Sequence, residues 1–224
     1  MDAHTSNRPI PMSQRLNNPS QQTSVPPVVL VVDDDAAVRE SLDTLLRSVD
    51  LDVRSFASAA ALLRSELPDT VSCLVLDVRL PGLNGLDFQA QLAQAGIHIS
   101  IIFMTGHGDI PMTVQAMKGG AVDFLAKPFR EQDLLNAVTA ALALDATRRQ
   151  NESAQQSVTQ RIEALTARER EVMGHVTNGL LNKQIAGEMG LSEMTVKIYR
   201  GHMMRKMNVR SVAELVKLCG SVAG

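Results

Sequence analysis

The chain has 224 residues, of which 45% are hydrophobic and 21% charged, and its formal net charge is -2. This length favours two domains of ordinary size. Its two cysteines, Cys73 and Cys219, lie far apart in apolar surroundings, so a disulfide framework has no support. No apolar stretch approaches the roughly 20 residues of a membrane span, and the polar N-terminus lacks the apolar core of a secretory signal. We therefore expect a soluble, cytoplasmic protein with no membrane partner.

The small net charge hides two halves of opposite sign. Residues 28–144 contain 8 basic and 15 acidic side chains, whereas residues 165–224 contain 9 basic and 5 acidic ones. The two halves are therefore expected to meet different partners, and the basic half suits a polyanion.

The first 27 residues are rich in Ser, Asn, Gln and Pro, and they predict a disordered leader because they offer little apolar surface to offset the entropy of ordering. After them, strand-like apolar runs alternate with amphipathic helical patterns. Strands are predicted at 28–33, 51–56, 73–77, 100–104 and 123–126, and helices at 36–49, 58–66, 84–95, 110–119 and 131–144. Because parallel neighbours need crossover connections, this alternation predicts an α/β fold with a doubly wound, five-stranded parallel sheet.

Three aspartates stand at the ends of two predicted strands. Asp33 and Asp34 follow the first apolar run, and Asp77 closes the run that begins at Cys73. In a doubly wound sheet, functional groups gather at the carboxyl ends of the strands. Clustered carboxylates repel one another, and Mg2+ relieves that repulsion while keeping coordination positions for phosphate oxygens. An aspartate can also attack a phosphoryl group and form an acyl phosphate.

Two further strand ends supply groups that bind phosphoryl oxygens. Thr105 offers a hydroxyl, and Lys127, just before Pro128, offers an ammonium. Asp35 has a different predicted role, because its side chain can cap the helix that follows it.

Together, Asp33-Asp34, Asp77, Thr105-Gly106 and Lys127-Pro128-Phe129 resemble the receiver domain of a bacterial two-component response regulator, which is a flavodoxin-like fold. The resemblance covers residues 28–145 and implies that Asp77 is the phosphoacceptor. It implies a Mg2+ site made by Asp33, Asp34, Asp77 and the main-chain carbonyl of Arg79. It further implies that Thr105 and Lys127 bind the phosphoryl group and that Phe124 changes rotamer with Thr105. Phe124 could instead be an ordinary core residue.

Residues 146–161 are polar and predict a linker, for which a helical conformation is one option, and the remainder to residue 224 predicts a small all-α domain. Thr166 and Glu169 form a capping-box pattern, Asn182 is placed to cap the next helix and Ser192 the one after it. The short break at Gly190–Ser192 is typical of a helix-turn-helix. On its second helix, Val196, Tyr199, Met203 and Met207 recur at core spacing.

This segment resembles the LuxR-type helix-turn-helix over residues 162–221, through Leu165-Thr166, Arg168-Glu169, Asn182-Lys183, Ile185-Ala186 and Thr195-Val196-Lys197. It is predicted to contact double-stranded DNA through Lys183, Ser192, Thr195, Lys197, Ile198, Arg200, Gly201 and Arg205. Gly201 offers no side chain at a position that faces bases in that family, and mid-helix glycine costs about 1 kcal/mol relative to alanine. Val212, Leu215 and Val216 are predicted to pair in a dimer, or else they complete the domain core.

The whole chain is thus interpreted as a response regulator of the NarL/FixJ class and not as an enzyme. A sensor histidine kinase would phosphorylate Asp77, and the change would release or dimerise the output domain on DNA, with RNA polymerase as a further candidate partner. Two alternatives stay open. One is a receiver that works without phosphorylation. The other is a phosphohydrolase with an aspartyl-phosphate intermediate, although the second acid that such enzymes use, two residues after the nucleophile, is replaced here by Arg79.

Overall fold

A computed structural model describes residues 25–106 and 110–220. Most of the leader, residues 1–24, and the last four residues therefore lie outside the described part. A five-stranded parallel sheet dominates the first half and confirms the predicted fold class. Its strands are β1 (Val28–Val32), β2 (Asp52–Phe56), β3 (Ser72–Asp77), β6 (Ser100–Thr105) and β7 (Asp123–Ala126). A two-residue ribbon that the sequence did not indicate pairs β4 (Arg79–Leu80) with β5 (Leu83–Asn84).

The strands lie in the order β2-β1-β3-β6-β7, so the order reverses between β1 and β3. Helices cover both faces of the sheet, because alternate residues of the central strands point to opposite sides and nearly all of them are apolar. The helices of this half are α1 (Ala36–Arg47), α2 (Ala59–Arg64), α3 (Gly85–Gln94), α4 (Ile110–Lys118) and α5 (Glu131–Glu163). Helices α2, α3 and α4 pack on one face, and α1 and the first part of α5 pack on the other.

The second half is a small helical domain with a separate core. It contains α6 (Ala167–Thr177), α7 (Asn182–Met189), α8 (Glu193–Lys206) and α9 (Val212–Gly220). The predicted core stripe of α8 is confirmed, because Val196, Met203 and Met207 are fully buried and Tyr199 packs against them. Gly190 ends α7 in the left-handed conformation at φ 65°, which makes the tight turn into α8.

Side chains cap three of the four helices for which the sequence predicted a cap. Asp35 accepts backbone N–H groups at the start of α1, and Ser192 does so for α8. Thr166 and Glu169 form the complete capping box of α6. The predicted Asn182 cap is wrong, because Asn182 is already the first residue of α7 and its carboxamide is bonded elsewhere.

The two halves are joined by α5, which runs without a break through the predicted linker. Its first part packs on the sheet through Leu134 and Val138. Its last part packs on the output core through Val158 and Ile162. At 1.5 Å per residue, 33 helical residues span about 50 Å, so a single helix connects the two cores.

Candidate functional site

The three predicted aspartates meet at the carboxyl edge of the sheet, beside the reversal between β1 and β3. Carboxylate oxygens of Asp33, Asp34 and Asp77 all lie within 4.8 Å of one another. Asp33 and Asp77 are 1% and 8% exposed, whereas Asp34 faces solvent. The register explains the geometry, because Val32 and Leu76 are paired across β1 and β3 and the acids follow at once.

Lys127 binds two of these carboxylates at the same time. Its Nζ lies 2.6 Å from Asp33 Oδ2 and 2.6 Å from Asp77 Oδ2, with the lysine side chain 22% exposed. Burial raises the pKa of Asp33, although its bonds to Lys127 and Asp35 oppose that rise. Burial also disfavours the Lys127 cation, yet hydrogen bonds to Asp33 and Asp77 outweigh it and raise the lysine pKa.

Backbone hydrogen bonds fix the remaining oxygens of the two buried acids. Asp77 Oδ1 accepts the N–H of Arg79 at 2.9 Å, and Asp33 Oδ1 accepts the N–H of Asp35 at 2.9 Å. The Arg79 side chain points to solvent. The exposed Asp34 therefore completes a set of hard oxygen donors, of the kind that Mg2+ takes when it keeps several waters.

Thr105 and Phe124 lie on the next two strands. Thr105 is fully buried at the end of β6, and its carbonyl accepts the N–H of Lys127 at 2.7 Å. The Phe124 ring lies 6.2 Å from that of Phe103, with the two planes tilted by 46°. Phe124 is only partly buried, so it packs against the core and is also partly exposed to solvent.

Sequence reasoning missed two residues that shape this pocket. Arg39 on α1 donates to the backbone carbonyls of Asp33 and Asp34. Gly85 begins α3 where an added Cβ would lie 2.8 Å from the carbonyl oxygen of Asp77, so only glycine lets the helix approach that closely. The glycine after the strand-end aspartate was visible in the sequence, whereas nothing in the sequence indicated the contact of Arg39.

In the output domain, the outer face of α8 carries most of the predicted DNA contacts. Lys197, Ile198, Gly201 and Arg205 are exposed there, and Lys183 is exposed on α7. The hydroxyls of Ser192 and Thr195 lie 2.8 Å apart at the start of α8. The exposed apolar side chain of Met194, one turn before Ile198, joins this face and was not predicted.

Arg200 lies beside this face with its guanidinium already engaged. Its Nη1 donates to Asn182 Oδ1 at 2.8 Å, so the Asn182 carboxamide is bonded to α8. Arg200 therefore ties the two helices of the helix-turn-helix together. Gly201 has open space around it, because an added Cβ would meet nothing within 4 Å.

The predicted dimer residues on α9 divide into two groups. Leu215 is fully buried in the core of the output domain, and Val212 packs against that core. Leu215 has no surface to offer a second copy, so for this residue the core alternative is correct. Val216 is 45% exposed and is the one predicted dimer residue that presents a large apolar surface.

Comparison with known proteins decides the family. Residues 29–139 match the response regulator receiver domain, and residues 163–219 match the bacterial regulatory proteins of the luxR family. Nodulation protein W of Bradyrhizobium diazoefficiens is 57% identical over 197 residues, which is 88% of this chain and 87% of that protein. The chain belongs to the NarL/FixJ class of response regulators.

Other members of this class resemble the chain over nearly the same range. Response regulator protein TodT of Pseudomonas putida is 48% identical over 85% of the chain and 84% of its own length. The solved structure of the response regulator StyR is 49% identical, with a TM-score of 0.81 over 88% of this chain and 99% of that one. Full-length FixJ from B. japonicum is 39% identical, with a TM-score of 0.53 over 88% and 97% of the two chains.

These relatives establish the functional class of the protein. It is a response regulator of a two-component system, with a receiver and a DNA-binding output domain that regulates transcription. Within residues 25–106 and 110–220, no helix is both long enough and apolar enough to cross a membrane.

Proposed function

We propose that Asp77 accepts a phosphoryl group from a sensor histidine kinase and that this modification controls DNA binding by the output domain. The observation that carries the proposal is the double contact of Lys127 with Asp33 and Asp77. An ammonium 2.6 Å from the acceptor oxygen is placed to neutralise charge on an incoming phosphoryl group.

In the proposed transfer, an Asp77 carboxylate oxygen forms a bond to phosphorus while the bond from phosphorus to the donor histidine breaks. No net oxidation or reduction occurs, and the product is an acyl phosphate. Asp77 stands at the carboxyl edge of the sheet with 11% of its side chain exposed, and its Oδ2 is bonded to Lys127.

We propose Mg2+ as the cofactor, held by Asp34, Asp77 and the main-chain carbonyl of Arg79, with Asp33 assisting. The fit rests on the carboxylate cluster within 4.8 Å and on the exposure of Asp34, which leaves room for waters and phosphate oxygens. When bound, the ion would neutralise charge on phosphoryl oxygens. Asp33 and Lys127 would orient the acceptor.

The signal would then pass through Thr105 and Phe124. Thr105 ends β6 beside the pocket, and Phe124 lies on the neighbouring strand β7 with part of its ring exposed. A hydrogen bond from the Thr105 hydroxyl to the phosphoryl group would leave space for Phe124 to turn inward. This would alter the surface formed by α4 and β7, and it would release or dimerise the output domain.

For the output domain we propose that α8 enters the major groove of double-stranded DNA. Exposed Lys197 and Arg205 suit phosphates and guanine edges, and exposed Ile198 suits a thymine methyl. Lys183, Ser192 and Thr195 lie at the starts of α7 and α8, where helix N-termini favour phosphate. Arg200 would act through its bond to Asn182 by fixing the angle between the two helices.

The remaining assignments are also proposals. The domain limits are a leader at 1–27, a receiver at 28–145, a linker at 146–161 and an output domain at 162–224. A homodimer would form on activation, with Val216 as its exposed apolar residue, and RNA polymerase would be a further partner. A reducing cytoplasm suits the two free cysteines.

The test uses the full-length protein, a small phosphodonor such as acetyl phosphate, and Mg2+. Hydroxylamine-labile labelling of the wild type is expected, as for an acyl phosphate, with loss of the label in Asp77→Asn and in the presence of a chelator. A matched control is Asp87→Asn, which removes an aspartate from the first turn of α3 and should leave labelling intact. Equal labelling of Asp77→Asn would overturn the assignment.

Two other functions predict different results in two further assays, DNA binding and turnover of a phosphate ester. A phosphorylation-independent regulator would bind DNA equally with and without the label. A phosphohydrolase would turn over a generic phosphate ester, and we propose that this chain does not, because Arg79 stands where such enzymes use an acid. In this structure the Arg79 side chain points to solvent, and the Arg79 N–H donates to Asp77 Oδ1.

A further inference from the structure

Arg39 makes a contact with the acidic pocket that the reaction as described does not use. Its Nη1 donates to the carbonyl oxygen of Asp33 at 2.8 Å and to that of Asp34 at 2.9 Å. Both carbonyls belong to the turn that carries two of the three clustered carboxylates. Arg39 lies on the second turn of α1, so it links this turn to a rigid element.

Other restraints hold the two ends of the turn, because the N–H of Asp33 donates to the carbonyl of Phe56 on β2 at 3.3 Å. The N–H of Asp35 is bonded to Asp33 Oδ1, and the Asp35 side chain caps α1 through the N–H of Ala37. The Asp34 side chain is exposed, so the backbone beneath it decides where its carboxylate points. Arg39 holds that backbone at two points, the carbonyl that precedes the Asp34 nitrogen and the carbonyl of Asp34 itself.

We propose that Arg39 is a positioning residue for the divalent cation, acting through the main chain of Asp33 and Asp34. This inference rests on the proposed function of the acidic pocket. Arg39 is itself positively charged, and a positive charge close to a cation site should weaken Mg2+ binding by repulsion. Positioning and repulsion therefore predict opposite effects when the charge is removed.

Mg2+ titration of the full-length protein, followed by amide NMR signals, separates the two. If Arg39 positions the ligands, Arg39→Met raises the Mg2+ dissociation constant by about tenfold, as is typical when groups that hold metal ligands in place are removed. Arg39→Lys should recover part of the loss, because an ammonium can bond one of the two carbonyls. If only charge matters, Arg39→Met binds Mg2+ more tightly than the wild type, which would overturn the proposal.

Acetyl phosphate labelling supplies a second measurement. The expected result for Arg39→Met is a higher Mg2+ concentration at half-maximal rate and an unchanged rate at saturating Mg2+. A lower plateau at an unchanged midpoint would refute the positioning role. Arg130→Met is the matched control, since it removes an exposed arginine that precedes α5 and bonds only Asp133 among the described residues. Failure of the wild type to bind Mg2+ would instead overturn the proposed function.

A different observation, at the opposite end of the sheet, carries a second inference. Asp145 on α5 has a side chain with no exposed surface and accepts three hydrogen bonds. The donors are the N–H of Ser72 at 3.0 Å, Nε of Arg149 at 2.9 Å and the guanidinium of Arg148. Arg149 also donates to the carbonyl of Pro68 at 3.2 Å.

This cluster joins α5 to the first residue of β3, the strand that ends in Asp77. It lies where α5 leaves the sheet, and beyond it residues 150–156 are almost entirely exposed. At its far end α5 is fixed to the output domain, where Val158 is buried and Arg161 donates to the carbonyl of Met207 at 3.2 Å. An isolated helical segment as short as residues 150–156 is marginal in water, so the tertiary contacts at its two ends help to hold it.

We infer that the Asp145 cluster is a clamp that keeps α5 aligned with the receiver, so that a change in the receiver is transmitted to the output domain. The clamp and the proposed phosphorylation site occupy opposite ends of β3. Without the clamp, the helix could hinge where it leaves the sheet, and the output domain would no longer follow the receiver.

The test measures the ratio of DNA affinities with and without the phosphoryl group, using a duplex selected from a random-sequence pool by the wild-type protein. Asp145→Asn and Arg149→Met should keep the wild-type labelling rate, while the ratio of affinities falls towards one. Arg47→Met is the control, because it breaks an arginine–aspartate pair of the same spacing on α1.

Folded clamp variants that keep the full wild-type ratio would overturn this inference. If Asp145→Asn fails to fold, Arg149→Met decides, since its side chain is 30% exposed and its loss leaves the Ser72 bond in place. Absence of any phosphorylation effect in the wild type would count against the proposed function and not against the clamp alone.

Discussion

Replacing Lys127 by methionine is expected to destabilise the receiver strongly in buffer without Mg2+. The substitution removes the cation shared by Asp33 and Asp77, whose side chains are 1% and 11% exposed. Removing one partner of a buried ion pair costs about 3–5 kcal/mol. Because Lys127 itself is 22% exposed, we expect a loss near the lower bound, about 3 kcal/mol. This corresponds to roughly 10 °C in the Tm of the receiver transition.

The pH dependence of this loss has a definite sign. Burial raises the pKa of Asp33 in the wild type, and loss of its bond to Lys127 should raise that pKa further. For an acid with a raised pKa, stability is present below the unfolded pKa and is lost as the pH rises through the folded pKa. The deficit of Lys127→Met should therefore be largest at neutral pH and should shrink as Asp33 takes up a proton in acid.

Scanning calorimetry at several pH values, with and without Mg2+, measures both effects. Mg2+ should stabilise the variant more than the wild type, because the ion replaces the missing positive charge. Lys118→Met, which removes an exposed lysine from the end of α4, is the control and should change Tm little. An unchanged Tm for Lys127→Met at neutral pH, or a deficit that grows on acidification, would refute the reasoning.

Three further predictions concern other parts of the chain. Gly201→Ala should stabilise the output domain by about 1 kcal/mol. It should also weaken DNA binding, because the added Cβ enters open space that DNA would occupy. Unchanged affinity in a DNA-binding titration would contradict a close approach of DNA to Gly201. Burial raises the pKa of Cys73 to about 12, so a thiol reagent at mild alkaline pH should label Cys73 only as fast as the receiver unfolds; labelling at the rate of a free thiol would contradict this. The hydrogen bond from Lys206 lowers the pKa of Glu169, so the ionised carboxylate stabilises the fold above the unfolded pKa, and this stabilisation is lost as the pH falls through the folded pKa. Glu169→Gln should therefore lower the Tm of the output domain at neutral pH but not in acid. An equal loss of Tm at both pH values would contradict this.

Much of the fold was predictable because local and global signals agree. The strands of a parallel sheet are buried on both faces, so they appear in the sequence as continuous apolar runs. Acids placed at the ends of two such runs must meet at one edge, which is why the cluster of Asp33, Asp34 and Asp77 could be predicted. Helix caps are local too, and Asp35, Thr166 and Ser192 were predicted correctly.

The contacts that the sequence did not indicate join residues far apart or depend on competition between partners. Asp145 and Ser72 are 73 positions apart, and no local pattern marks a buried carboxylate on an apparently polar helix. Asn182 had the right chemistry for a cap, but the N-cap of α7 is Leu181, and the side-chain oxygen of Asn182 accepts from Arg200 on α8. Leu215 and Val216 are both apolar and adjacent, so only the packing of α9 on the core could distinguish the buried one from the exposed one.

The central claim is that a phosphoryl group on Asp77 controls DNA binding by the helix-turn-helix. The most direct measurement is the affinity of the full-length protein for a selected duplex, at fixed salt, before and after treatment with acetyl phosphate and Mg2+. The account predicts tighter binding by the phosphorylated wild type and no change for Asp77→Asn under the same treatment. Equal affinity of the phosphorylated and unphosphorylated wild type, or the same gain in Asp77→Asn, would contradict it.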